Sequence, residues 1–258
     1  MICHTISNIK SSNLIKTRVD HMNLLEDKIN KIKRLQEIQK IVATNPRPSF
    51  HDLDKKIEKY INYDNGFFIE AGANNGYTQS NTFYYEYKRN WKGILVEPVF
   101  HNYKMCEYLR INSKVYNCAL VSSSYQEKSV KMRYAGLMTI VDGALKSKEN
   151  DDFQIQKAMK YENIDDPFDF EVEARTLTSI LDECNVQKID LLSLDVEGYE
   201  AQVLDGLDFN KYRPKFILIE ARFKEEIEKI INPYYKLIDV LTNNWDHLYA
   251  AKWNGQLP

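Results

Sequence analysis

The chain has 258 residues, 43% hydrophobic and 28% charged, with a formal net charge of −2. This is enough for one large α/β domain with an extension, and the balance of charge gives no reason to expect nucleic acid or an acidic membrane as partner. The apolar runs are too short for a membrane span or a signal peptide, and Cys3, Cys106, Cys118 and Cys184 lack C-x-x-C spacing, so a reducing, cytoplasmic setting is expected.

Residues 1–50 read as a basic amphipathic helical extension. Between Val19 and Val42, Met22, Leu25, Ile29, Ile32, Leu35 and Ile38 recur at helical spacing among Lys, Glu and Gln. Up to Arg47 there are nine Lys/Arg against four acids. Such a helix could join two copies into a homodimer, contact an anionic surface, link to a preceding module, or pack on the main domain with a solvated basic face. Asn45-Pro-Arg-Pro48 ends it as a turn or linker.

Residues 51–258 form the second region. Asp52 to Tyr63 predicts a short helix, and Phe67-Phe-Ile69 a buried parallel strand that runs into Glu70-Ala-Gly-Ala-Asn-Asn-Gly76. A helix from Thr82 to Arg89 follows, completing a strand, glycine turn and helix of the nucleotide-binding type. The middle glycine of the dinucleotide fingerprint is missing, which disfavours a nicotinamide-dependent oxidoreductase. Ile94-Leu-Val96 predicts a second strand ending in Glu97-Pro98, and Glu97 lies 21 residues past Gly76. An acid at that distance, on a strand tip, suits a vicinal ribose diol.

Phe100 to Ile111 predicts a helix, Lys114 to Leu120 a third strand, and Ser129 to Tyr134 a further one. From Gly136 to Ala174 the pattern becomes polar, with ten acids against four Lys between Asp142 and Ala174, and a substrate-binding insertion is expected there. Arg175 to Asp182 predicts a helix, and Ile189 to Leu194 a buried strand that delivers Asp195-Val-Glu197-Gly-Tyr-Glu200 to the same sheet edge. Ala201 to Leu207 is helical, and Lys215 to Glu220 the fifth parallel strand. Tyr235 to Leu241, a Thr242-Asn-Asn244 turn and Trp245 to Ala251 predict a closing antiparallel hairpin.

Four stretches taken together resemble the FkbM-type methyltransferases: Glu70 to Gly76 with Ser80-Asn-Thr82, Gly93 to Pro98, Asn117 to Leu120, and Leu192 to Glu200. The resemblance spans about residues 60–220, and Ser-Leu-Asp-Val-Glu-Gly-Tyr-Glu is its most specific part. It implies a class I methyltransferase (Rossmann-like) fold, a seven-stranded, mostly parallel sheet of order 3-2-1-4-5-7-6. It also implies S-adenosylmethionine as cofactor and methylation of a hydroxyl, often on a sugar or glycan. Mapped here, Glu70, Gly72, Ala73, Asn74 and Gly76 would face the methionine part, with Ser80 and Asn81 near its carboxylate. Glu97 and Pro98 would lie at the ribose, Ala119 and Leu120 at the adenine, and Asp195 and Val196 below the sulfonium.

A sugar hydroxyl is a poor nucleophile, so a base is needed, and Asp195 or Glu197 is expected to serve. Their i, i+2 spacing would point them to opposite sides if the strand continued. Asp195, Glu197 and Glu220 could together hold a divalent cation, although a metal-free site is the favoured reading. His247 is a minor base candidate. Alternatives to glycan methylation are a non-sugar small-molecule methyltransferase and a non-catalytic nucleotide-binding or assembly module.

Overall fold

The computed structural model describes residues 2–243 and 245–252, with side chains from residue 21 onward. The chain divides into two units, residues 1–45 and 46–258. The first is one helix, α1 (Ile2–Thr44), longer at both ends than its apolar spacing predicts. Along it Met22, Leu25, Ile29 and Ile32 are exposed.

The second unit opens with α2 (Leu53–Glu58), then β1 (Phe67–Ala71), α3 (Phe83–Lys88), β2 (Lys92–Val96), α4 (Phe100–Leu109) and β3 (Ser113–Tyr116). It continues through β4 (Ala119–Leu120), β5 (Ser129–Tyr134), β6 (Ile140–Val141), α5 (Lys148–Tyr161), β7 (Phe168–Arg175) and α6 (Leu177–Glu183). It closes with β8 (Leu191–Leu194), α7 (Glu200–Asp205), β9 (Phe216–Glu220), α8 (Lys224–Ile231), β10 (Tyr235–Val240) and β11 (Asp246–Ala251).

The main sheet has the order β3-β2-β1-β8-β9-β11-β10, which is the predicted 3-2-1-4-5-7-6 arrangement of a class I methyltransferase fold. β11 runs antiparallel to both β9 and β10, and the other pairings are parallel. Strict alternation along its strands builds a core on each face. Ile69, Leu192, Ile217 and Ile219 join the helices α6, α7 and α8, whereas Phe68, Leu191, Phe216 and Leu218 join Leu53, Ile57, Tyr85 and Trp91. Each fully buried aliphatic or Phe side chain contributes roughly 1.5–3 kcal/mol by leaving water.

Three predicted elements differ. The single strand Lys114 to Leu120 is two: β3 stays in the main sheet, while β4 crosses to a second sheet of order β4-β7-β5-β6. Between them Asn117 donates its side-chain amide to the Glu97 and Pro98 carbonyls at 2.9 and 2.8 Å, which turns the chain away from β2. The 136–174 stretch is not a loose loop. Ser147 caps α5 by accepting from the Asn150 amide, and β7 pairs with β5 over residues 168–173 and with β4 over 174–175. The acids of β7 line exposed positions, so polarity hid the alternation: Val172 points into a small core with Val130, Met132 and Ile155, while Glu171 and Glu173 face out. β7 runs on to Arg175, and α6 starts only after Thr176, whose hydroxyl accepts from the Ser179 amide. The helix α8 was not expected. The predicted C-terminal hairpin is present, although Asn244 of its turn lies outside the described residues.

Candidate active site

The carboxyl ends of β1, β2 and β8 meet at one edge of the sheet. There β1 and β8 come so close that the Asp195 amide bonds the Ala71 carbonyl at 3.1 Å. A Cβ on Gly72 would lie 1.8 Å from the Asp195 carbonyl oxygen, and the residue has φ +79°, so only glycine fits this crossing. The turns around it are also bent: Asn74, Gln79 and Glu197 all have positive φ, an unusual state for a glutamate.

A cavity of about 1060 Å³, counted out to its open mouth, fills this edge. Of the predicted cofactor residues, Glu70, Gly72, Ala73, Asn74, Ser80, Asn81, Glu97, Pro98, Ala119, Leu120, Asp195 and Val196 line it. Gly76 does not. It faces away, and a Cβ there would meet Arg110 Cγ at 3.0 Å and Cys106 at 3.2 Å.

Glu70 borders the cavity, but its carboxylate belongs to the scaffold. It accepts from Ser80 Oγ at 2.9 Å, the Asn81 amide at 2.8 Å, Thr82 Oγ1 at 2.7 Å and Arg110 at 3.1 Å. Arg110 is fully buried and also donates to Glu86 at 2.7 Å and Thr82 at 2.7 Å, so this hub fixes residues 80–82 against the strand tip.

Glu97, 4% exposed, accepts the Asn74 amide at 2.8 Å on one oxygen and the Val99 amide at 2.8 Å on the other. Burial outweighs these bonds and pushes its carboxyl up to about 8. Each oxygen retains acceptor capacity toward the cavity.

β8 ends at Leu194, and the positive φ of Glu197 folds the next residues back. The opposed facing expected of a continued strand is therefore not seen: ligand oxygens of Asp195, Glu197 and Glu220 all lie within 4.8 Å of one another. Glu197 is clamped, accepting from Arg222 at 2.6 Å and from Gln154 at 2.8 Å. Arg222 also stands 3.5 Å from Glu220, so a guanidinium supplies positive charge where the sequence left room for a cation. Asp195 instead opens to the cavity. Desolvation by the surrounding cavity walls together with the charges of Glu220, Glu197, Glu200 and Asp246 holds its carboxyl well above the usual range. Burial likewise raises Glu197 to about 7, Arg222 opposing and Glu220 adding to the rise.

The FkbM methyltransferase domain model matches residues 70–248. The chain belongs to the FkbM methyltransferase family. It is accordingly a methyltransferase, and the donor this family implies is S-adenosylmethionine. Among solved structures, a TehB-like S-adenosylmethionine-dependent methyltransferase from Corynebacterium glutamicum aligns over 87% of this chain and 100% of its own, with 9% identity and a TM-score of 0.37. No curated protein matches the chain.

This FkbM domain contains functional candidates that motif reading missed. Gln154 and Arg222 reach Glu197 from α5 and from just past β9, and a second cavity behind Asp195 is bordered by His51, Trp245 and Asp246. Arg222 could have been found, since it follows a strand that ends at the same edge. Gln154 carried no signal, being one polar residue in a polar stretch. His247 is buried with its ring 3.3 Å from the Tyr249 hydroxyl, and among the residues bordering either cavity it does not appear.

Proposed function

We propose that the chain transfers the methyl group of S-adenosylmethionine to a hydroxyl of a sugar or glycan, with Asp195 as the base. The observation that carries this reading is the position of Asp195, on the wall shared by the two cavities and open to both. The residues present suit the donor. Gly72 and Ala73 put small residues on the cavity wall, the Glu97 carboxylate stands where ribose hydroxyls could donate, and Ala119 and Leu120 offer an apolar wall for a purine. When bound, S-adenosylmethionine supplies an electrophilic methyl group.

The protein's own part is alignment and proton removal. Holding two reacting groups in line can contribute roughly 7–11 kcal/mol in the best cases. Asp195 would take the hydroxyl proton as the oxygen becomes nucleophilic, and a carboxylate whose affinity for protons is raised is a stronger base for that task. Glu197, held by Arg222 and Gln154, would position the turn and set the charge around Asp195.

A mass-spectrometric screen of methyl transfer onto monosaccharide glycosides, reading the gain of one CH₂, tests the reaction. We expect Asp195→Asn to lower kcat by about 10²–10⁴-fold while S-adenosylhomocysteine still binds. Full turnover in both Asp195→Asn and Glu197→Gln would remove the catalytic assignment.

A further inference from the structure

Behind Asp195 lies a second cavity of about 1290 Å³, again counted to its mouth. Gln79, Asn81, Ser193, Asp195 and Glu197 border both cavities, so the two meet at the proposed base. Its walls come from neither the glycine turn nor the 136–174 stretch. One is built by Phe50 and His51, just before α2, and the other by Trp245 and Asp246 at the tip of the β10–β11 hairpin.

Two properties of this cavity define an occupant. Phe50 and Trp245 are 53% and 51% exposed, large apolar rings left uncovered at its border, and the flat C–H face of a pyranose stacks on such rings. Its floor is acidic, carrying Asp195, Glu197, Glu220 and Asp246. Glu220 Oε2 is buried without a hydrogen bond and meets Arg222 only at 3.5 Å. Against these four carboxylates stand Arg222, which pairs with Glu197 and Glu220, and Lys56 at the border, whose ammonium already donates to the Leu241 carbonyl at 2.8 Å, so the floor stays net acidic. Hydroxyl and ammonium groups can donate to such a floor, whereas a phosphate or carboxylate would face like charge.

We propose that this cavity is the acceptor subsite, and that it selects a neutral or amine-bearing sugar ring over one carrying carboxylate or phosphate. The proposal rests on the methyl-transfer reading and adds the acceptor's charge class and the residues that choose it. Trp245 and Phe50 hold the ring, and Glu220 and Asp246 set the charge.

The test uses the full chain and three aryl glycosides that differ in one group: a hexoside, the matching amino-hexoside and the matching uronide. Turnover is read by mass spectrometry, and ring binding by saturation-transfer NMR on protein loaded with S-adenosylhomocysteine. We expect kcat/KM for the neutral and amine-bearing glycosides to exceed that for the uronide at least tenfold. In the Glu220→Gln, Asp246→Asn double variant the ratio should fall at least threefold. Trp245→Ala should raise KM about tenfold and abolish the saturation-transfer signal, with S-adenosylhomocysteine affinity unchanged. Equal or better use of the uronide overturns the charge selection. Glycosides that give no signal on the loaded protein, or a signal that Trp245→Ala leaves intact, overturn the subsite while the cofactor reading stands. Failure of S-adenosylhomocysteine to bind at all would instead overturn the methyl-transfer reading beneath it.

Discussion

Two of the arginine-carboxylate hubs among the described residues share the same chemistry and have opposite character. Arg110 is buried with its partners Glu70 and Glu86 and donates to five protein oxygens, its own two carboxylates included. Arg222 is 20% exposed, its partners Glu197 and Glu220 are 17% and 25% exposed, and Arg222 Nε and Glu220 Oε2 are buried without hydrogen bonds. Saturation marks the first as scaffold, since nothing remains to bind a ligand. The second keeps unused capacity beside a cavity that Glu197 and Glu220 line, where a ligand could meet it.

The sharpest way to break this comparison is to remove each guanidinium. Arg110→Met leaves Glu70 and Glu86 charged and unpaired in the interior, and we expect a loss of about 3–5 kcal/mol, read as a large drop in Tm or failure to fold. Arg222→Met should cost less, about 1.5–3 kcal/mol on the scale of a hydrogen bond to a charged group, since its partners keep some solvent contact, yet should lower kcat by at least tenfold. Equal stability losses in the two variants would erase the distinction.

How much of this was legible in the sequence follows the same division. The strands of the main sheet are continuous apolar runs, and their tips carry the acids, so Gly72, Glu97 and Asp195 could be placed from spacing alone. The scaffold bonds of Glu70 were not legible, because its partners Ser80, Thr82 and Arg110 lie 10 to 40 residues away and give no local pattern. The acceptor-side cavity was invisible for a related reason. Phe50, His51 and Trp245 are ordinary in their own segments and become a surface only when α2 and the hairpin flank the same sheet edge. The regular elements of the 136–174 stretch were hidden because half of a two-faced strand is solvated, so acids at every second position of β7 mask its apolar alternation.

A smaller effect concerns proton uptake. Glu97, Glu197 and Glu200 are each raised above an ordinary glutamate by burial, to about 8, about 7 and about 7. A carboxyl that holds its proton more tightly when folded contributes stability present below its unfolded value near 4.5 and lost as pH rises through the folded value. The ligand-free protein should therefore lose several degrees of Tm between pH 5.5 and 8.5. Glu97→Gln should flatten part of that slope, and a slope identical to wild type would show that Glu97 is not protonated in the empty fold.

The central claim is that the cavity at the tips of β1, β2 and β8 holds the adenosyl donor through Glu97. Calorimetric titration of S-adenosylhomocysteine into the wild-type chain and Glu97→Gln tests it most directly. We expect one site per chain, with affinity rising toward pH 8 as Glu97 ionises, and a loss of about 10–100-fold in the variant, the scale of a hydrogen bond to a charged group. Affinity that is the same in both proteins and flat with pH would contradict it.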